Sequence, residues 1–184
     1  MSAEAQRETV LALRREFDAA FARAPLMESA ARENLLAVRL GGDGYVLRVA
    51  QIAGLHADKL ISPLATPVEE LKGLAGFRGK AAPVYDLAAL LGYPNAGKTR
   101  WLVLARSVEP LALAFETFEA HFSAAAAEIV RAPGATLKVA PAIQPQVFDA
   151  VSFEGAMRPV IDLASIVDTI RRRCAPAQPR STPT

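Results

Sequence analysis

The sequence predicts a mainly β fold of two similar small barrels, preceded by a helical extension and closed by a short helix. Three observations carry that prediction. From Asn34 onward, short apolar runs alternate with turn residues at close spacing, the texture of small barrels and sandwiches. A sixteen-residue unit occurs twice, which is the mark of a repeated supersecondary element. Leu, Ile, Val and Phe supply 50 of the 184 residues, above the roughly 20% below which chains stay disordered. Of the 95 apolar residues, 37 are alanines, so the core is built from small pieces.

Residues 1–33 read as a helical extension. Val10, Leu13, Phe17, Ala20, Phe21 and Ala24 recur on one helical face, and Pro25 ends the run. That stripe is expected to dock on the chain's own domain, with a partner as the other reading. "LLAVRLGGDGYVLRVAQI" gives two apolar runs around a glycine-rich turn, a β-hairpin signal. "WLVLARSVEPLALAF" gives two strands around Glu109–Pro110, and "VFDAVSFEGAMRPVIDL" gives a pair around Glu154–Gly155. The body is expected to span 34–172. Residues 173–184 are Pro-rich and aperiodic, and read as a disordered tail.

The repeat pairs "FRGKAAPVYDLAALLG" (77–92) with "FEGAMRPVIDLASIVD" (153–168), seven of sixteen positions identical without a gap. Each residue type has a physical task. Gly79 and Gly155 permit the positive φ of a tight turn. Pro83 and Pro159 take strand positions that need not donate a hydrogen bond. Asp86 and Asp162 cap the helical turn that follows, accepting from its free amides. A strand, turn, strand and capped helix thus occur twice.

Several function classes are disfavoured. The net charge is +2, but Arg171, Arg172, Arg173 and Arg180 contribute +4 within an acid-free end, leaving 2 − 4 = −2 on residues 1–170. A nucleic-acid binder needs its basic patch on the folded body. The single cysteine, Cys174, can form no internal disulfide or cysteine zinc cage. His56 and His121 lie in no metal-ligand spacing, and His121 near Ser123 lacks the third group a catalytic serine requires. No metal and no cofactor are expected, and the chain reads as a non-enzyme. No apolar run is long enough for membrane insertion and no leader precedes the body, so a cytoplasmic protein is expected. "GYPNAGKT" (92–99) matches the phosphate-loop pattern. Such a loop, however, needs a strand before it and a helix after it, and here a helix-like run precedes and a strand-like run follows.

The stretch "LKGLAGFRGKAAPVYDLAALLG" resembles the signature of CheW-like domains, the coupling proteins of bacterial chemotaxis. Arg78, Gly79, Pro83, Val84, Asp86 and Leu87 fill the family's Arg-Gly, Pro-Val and Asp-Leu positions. The first hairpin and "RPVIDLASIV" are also similar to the family, so the resemblance covers roughly 34–172. It implies two five-stranded SH3-like barrels with an interleaved chain. It also implies a non-catalytic scaffold coupling the cytoplasmic tip of a chemoreceptor to the regulatory domain of a CheA-type histidine kinase, in chemotaxis or another motility pathway. The partner-binding surface it implies comprises Val49, Gln51, Phe77, Arg78 and Gly79. Gly76 and Gln51 stand where the family often has Asn and an acidic residue. The alternatives are a P-loop nucleotide-binding protein and a small-barrel nucleic-acid binder.

Overall fold

The computed structural model describes residues 31–93, 98–132 and 147–174. The expected helix at the N-terminus and the tail from residue 175 onward lie outside them. The described strands are β1 (Arg32–Leu40), β2 (Asp43–Arg48), β3 (Ile52–Ala57), β4 (Leu71–Phe77), β5 (Lys80–Asp86), β6 (Trp101–Ala105), β7 (Ala112–Phe115), β8 (Thr117–Ala125), β9 (Val130–Arg131), β10 (Val147–Phe153) and β11 (Ala156–Ile161). Two helices join them, α1 (Leu87–Leu90) and α2 (Leu163–Cys174). β1 begins at Arg32, two residues ahead of the expected boundary. α2 continues through Arg173 and Cys174, two residues into the expected tail. Arg171–Arg173 in its last turn face the negative end of the helix dipole, which favours the continuation.

The strands form two sheets, β8-β1-β2-β11-β10-β9 and β3-β6-β7-β5-β4. The two follow one plan. In the second, a single strand (β3) is followed by the β4–β5 hairpin and then by β6–β7, with β5 parallel to β7. In the first, β8 is followed by the β10–β11 hairpin, and β11 lies parallel to β2 of the β1–β2 hairpin. The first sheet is therefore a circular permutation of the second. Its last hairpin is supplied by the start of the chain, and this is what interleaves the two. The sixth strand of the first sheet, β9, is only two residues long.

Each sheet closes on itself through an aromatic pair. Phe77 on edge strand β4 meets His56 on the opposite edge strand β3, ring centroids 5.0 Å apart. Phe153, its repeat equivalent on β10, meets Phe122 on β8 at 4.7 Å. The identity of the two phenylalanines thus reflects one structural task performed twice.

Three apolar clusters fill the molecule. The largest lies between the sheets and joins Leu36, Val38 and Leu40 of β1 with Val103, Leu113 and Phe115 of the second sheet. α2 adds Leu163, Ile166, Val167 and Ile170 to it. The alternate residues of the same strands point into the barrels. Leu35, Val46, Val151 and Val160 fill the first, and Ala75, Ala82, Ala112 and Ala114 pack with Phe77 and Val84 in the second. Strands buried on both faces read as continuous apolar runs. The narrow second interior accepts mainly alanine there, which accounts for part of the alanine-rich composition.

The turns obey the sequence. Gly41 and Gly42 have φ of 58° and 90°. Arg78–Gly79 (48°, 80°) and Glu154–Gly155 (50°, 78°) show positive φ at both central positions, the pattern of a type I′ hairpin turn, whose twist matches that of its strands. Asp86 Oδ1 accepts from the Ala89 N–H at 3.2 Å, and Asp162 Oδ1 from the Ala164 N–H at 3.3 Å. Both aspartates cap their helices as expected.

Candidate partner-binding surface

The five expected surface residues fall into two places. Val49 and Gln51 belong to a single 3-10 turn, Val49–Gln51, at the point where the chain crosses from the first sheet to the second. Phe77, Arg78 and Gly79 sit at the β4–β5 turn. β3 begins beside Gln51, and its His56 meets Phe77. The two groups are thus separated by five residues of extended strand, roughly 17 Å.

At the crossover, Val49 is half-buried against the main core. Gln51 is committed to α2. Its Nε2 donates to Asp162 Oδ1 at 2.5 Å, and its Oε1 accepts from the Leu163 N–H at 3.0 Å. Burial raises the Asp162 pKa, but the Ser165 hydroxyl, the Gln51 amide and two backbone amides outweigh it and hold the carboxyl below its ordinary value. A groove of about 540 Å³ runs beside this contact, between Gln51, Arg106, Val108, Ala164, Val167 and Arg171. Val108 at its rim is 96% exposed. A second groove of about 600 Å³ continues from Gln51 and Arg106 past Arg48, Glu33 and Arg32. Arg48 bridges Asp149 at 2.5 Å and Glu33 at 2.9 Å. Burial disfavours its charge, but the two carboxylates more than offset that and raise its pKa.

At the β4–β5 turn, Phe77 is buried, with the His56 ring 5.0 Å and the Lys59 ammonium 5.1 Å from its ring centroid. It closes the barrel and fixes the turn. Arg78 is exposed and makes no hydrogen bond or ion pair among the described residues. A left-handed conformation costs a non-glycine residue about 1–2 kcal/mol, so nothing in the turn itself accounts for an arginine there. Gly79 has open space around its Cα and serves the turn geometry. His56 is pulled below the ordinary histidine value by burial, then by Lys59 and Arg78.

Ser123 Oγ accepts from Arg32 Nε at 3.1 Å, and no histidine or carboxylate is hydrogen-bonded to it among the described residues. No group of three His, Cys, Asp or Glu able to hold a metal occurs among the described residues. Cys174 is exposed at the end of α2, its Sγ 3.5 Å from the Tyr85 hydroxyl, whose pKa burial pushes up to about 12. The phosphate-loop match lies between helix α1 and strand β6, the inverse of the order a phosphate cradle requires, with residues 94–97 outside the described ones. Tyr93 at its start hydrogen-bonds the Tyr45 and Asp43 side chains, both at 2.6 Å. Among the described residues no helix is long and apolar enough to cross a membrane.

Two features escaped the sequence. The Gln51 bracket joins residues 111 and 112 positions apart, and only the fold brings them together. The Arg39–Glu119–Arg158 chain links β1, β8 and β11, with Arg158 buried and stacked 4.6 Å from the Phe153 ring. Its one sequence signal is an arginine where the repeat places Ala82.

Comparison with known proteins agrees with this architecture. Residues 34–123 match the family model of the CheW-like domain. No curated protein matches the chain. The structure is similar to that of the scaffolding protein TtCheW from Thermoanaerobacter tengcongensis, with a TM-score of 0.61 and 18% sequence identity. The likeness covers 71% of this chain and 89% of that one. The interleaved sheets and the repeated Arg-Gly and Glu-Gly hairpins with their capped helices agree with that likeness: the chain has the fold of the CheW scaffolding protein, and its residues 34–123 match the CheW-like domain.

Proposed function

We propose that this protein is a non-catalytic adaptor of the chemotaxis type, coupling a chemoreceptor to a CheA-type histidine kinase at the cytoplasmic side of the membrane. The CheW-like domain over 34–123 is the observation that carries the reading. A scaffold works through surfaces, and such interfaces owe most of their energy to a few anchors. The grooves on either side of Val49–Gln51 offer apolar walls with charged rims, suited to a helical receptor tip. In this assignment Val49 contacts the partner directly, Gln51 shapes the groove through α2, and Arg78 reaches outward from a turn fixed by Phe77 and Gly79. The kinase's regulatory domain meets another barrel face.

A P-loop enzyme is opposed by the inverted order of elements around residues 92–99. A nucleic-acid binder is opposed by the −2 charge of residues 1–170. Co-purification of the full chain with the regulatory domain of its cognate CheA-type kinase, and separately with a receptor signalling fragment, tests the adaptor reading. Stable complexes with both support it. Failure to bind either, or ATP hydrolysis abolished by Lys98→Ala, overturns it.

A further inference from the structure

The seam that closes the second barrel gathers cations that no carboxylate answers among the described residues. Lys59 Nζ lies 5.1 Å from the Phe77 ring, Lys80 is the register partner of Phe77 across the hairpin, and Arg78 follows Phe77 in the turn. None of the three has a carboxylate partner among the described residues. Asp58, next to Lys59, is occupied by Arg100 through contacts of 3.0 and 3.1 Å. The equivalent seam of the first barrel is built differently. There Arg158 lies over Phe153, and Glu119 answers it while also binding Arg39. The turn position matching Arg78 is Glu154. One barrel therefore pairs its cation with an internal carboxylate, and the other leaves three cations without one among the described residues.

Clustered like charges raise the energy of the free chain, and an oppositely charged surface relieves it. Leu60, adjoining Lys59, is 84% exposed and supplies an apolar contact beside the charges. We propose that Lys59, Arg78 and Lys80, set around Phe77 and flanked by Leu60, dock an acidic protein segment that carries an apolar residue among its carboxylates. This rests on the adaptor reading and gives the chemistry of the partner surface that Arg78 meets. A polynucleotide fits less well. Single-strand binders add stacking platforms to their cations, and here Phe77 is 5% exposed and its ring is already covered.

The test titrates isotope-labelled full-length protein with a heptapeptide of six glutamates around one leucine, followed by amide chemical shifts. A thymidine octanucleotide serves as competitor. Shifts centred on residues 56–60 and 77–80 are expected. Affinity should fall about tenfold in Lys59→Glu/Lys80→Glu and fall again at high salt. Lys80→Glu alone, at an exposed strand end, keeps the test intact should the double variant fold poorly. Shifts elsewhere, affinity indifferent to charge reversal, or tighter binding of the oligonucleotide at these residues overturns the proposal. Kinase coupling assayed with the same proteins separates the two readings. Intact coupling without peptide binding removes this site alone. Peptide binding at the seam without any coupling in the native chain removes the adaptor reading and leaves the site standing.

Discussion

The Gln51 amide donates to the Asp162 carboxylate from 111 positions away, while its carbonyl accepts from Leu163 N–H. One side chain thus ties the crossover between the barrels to the first turn of α2, and both sides of that tie line the same groove.

Gln51→Glu should therefore destabilise the fold at neutral pH. The donor to Asp162 is lost and a second carboxylate is placed against the first, for about 1–3 kcal/mol. The pair would share a proton, raising one folded-state pKa. A raised carboxyl pKa favours the fold at low pH, so stability should recover as pH falls from 7 through that raised value. Urea unfolding at pH 7 and pH 5 measures this. An equal loss at both pH values would show that charge is not the cause.

Arg78 occupies a left-handed position that asparagine tolerates better, and Asn-Gly is the favoured type I′ pair. Arg78→Asn should raise stability by about 0.5–1 kcal/mol while abolishing kinase coupling. Thermal melting together with a coupling assay tests the pair of effects. A variant that is more stable and couples normally would show that the arginine has no outward role.

Gly79 has φ of 80° and nothing within 4 Å of an added Cβ. Gly79→Val should cost about 1–3 kcal/mol through backbone strain alone. Gly73 differs, because its Cβ would lie 2.1 Å from the Ser62 carbonyl oxygen. There Gly73→Ala, though smaller, should cost more and free the Ser62–Leu74 bridge that lines the β4 edge. Melting curves for both variants, with amide exchange at Leu74, rank the two costs.

The Arg158–Glu119 pair is largely buried. Removing one partner of such a pair leaves an uncompensated charge, at about 3–5 kcal/mol, whereas an apolar replacement of the cation is milder. Glu119→Gln should thus destabilise more than Arg158→Met, as read by equilibrium unfolding. Burial pushes Glu119 up, but Arg158 and Arg39 outweigh it and hold it below 4.5. Its contribution is present above pH 4.5 and is lost as pH falls through the lower folded value.

Local chemistry made much of this fold legible. The glycines at 42, 79 and 155 and the aspartates at 86 and 162 act on their immediate neighbours, and turns and caps appeared where the residues put them. The repeat announced two related units. The permutation stayed hidden because pairing β2 with β11 brings Val46 against Val160, a relationship no local pattern encodes. β8 escaped as a strand because a third of "TFEAHFSAA" is alanine, a poor β-former, and it is stabilised by pairing along β1. Within the candidate site, the conformational demands on Gly79 were readable. The burial of Phe77 and the diversion of Gln51 toward α2 depend on strands that meet only after folding.

The most direct test reconstitutes a receptor signalling fragment and the cognate CheA-type kinase in membrane mimics, and measures kinase autophosphorylation with and without this protein. The adaptor account predicts that the native chain switches the kinase to receptor control, that Arg78→Asn abolishes the switch while remaining folded, and that the chain alone turns over no ATP. Receptor control that is equally strong without the protein would contradict the account.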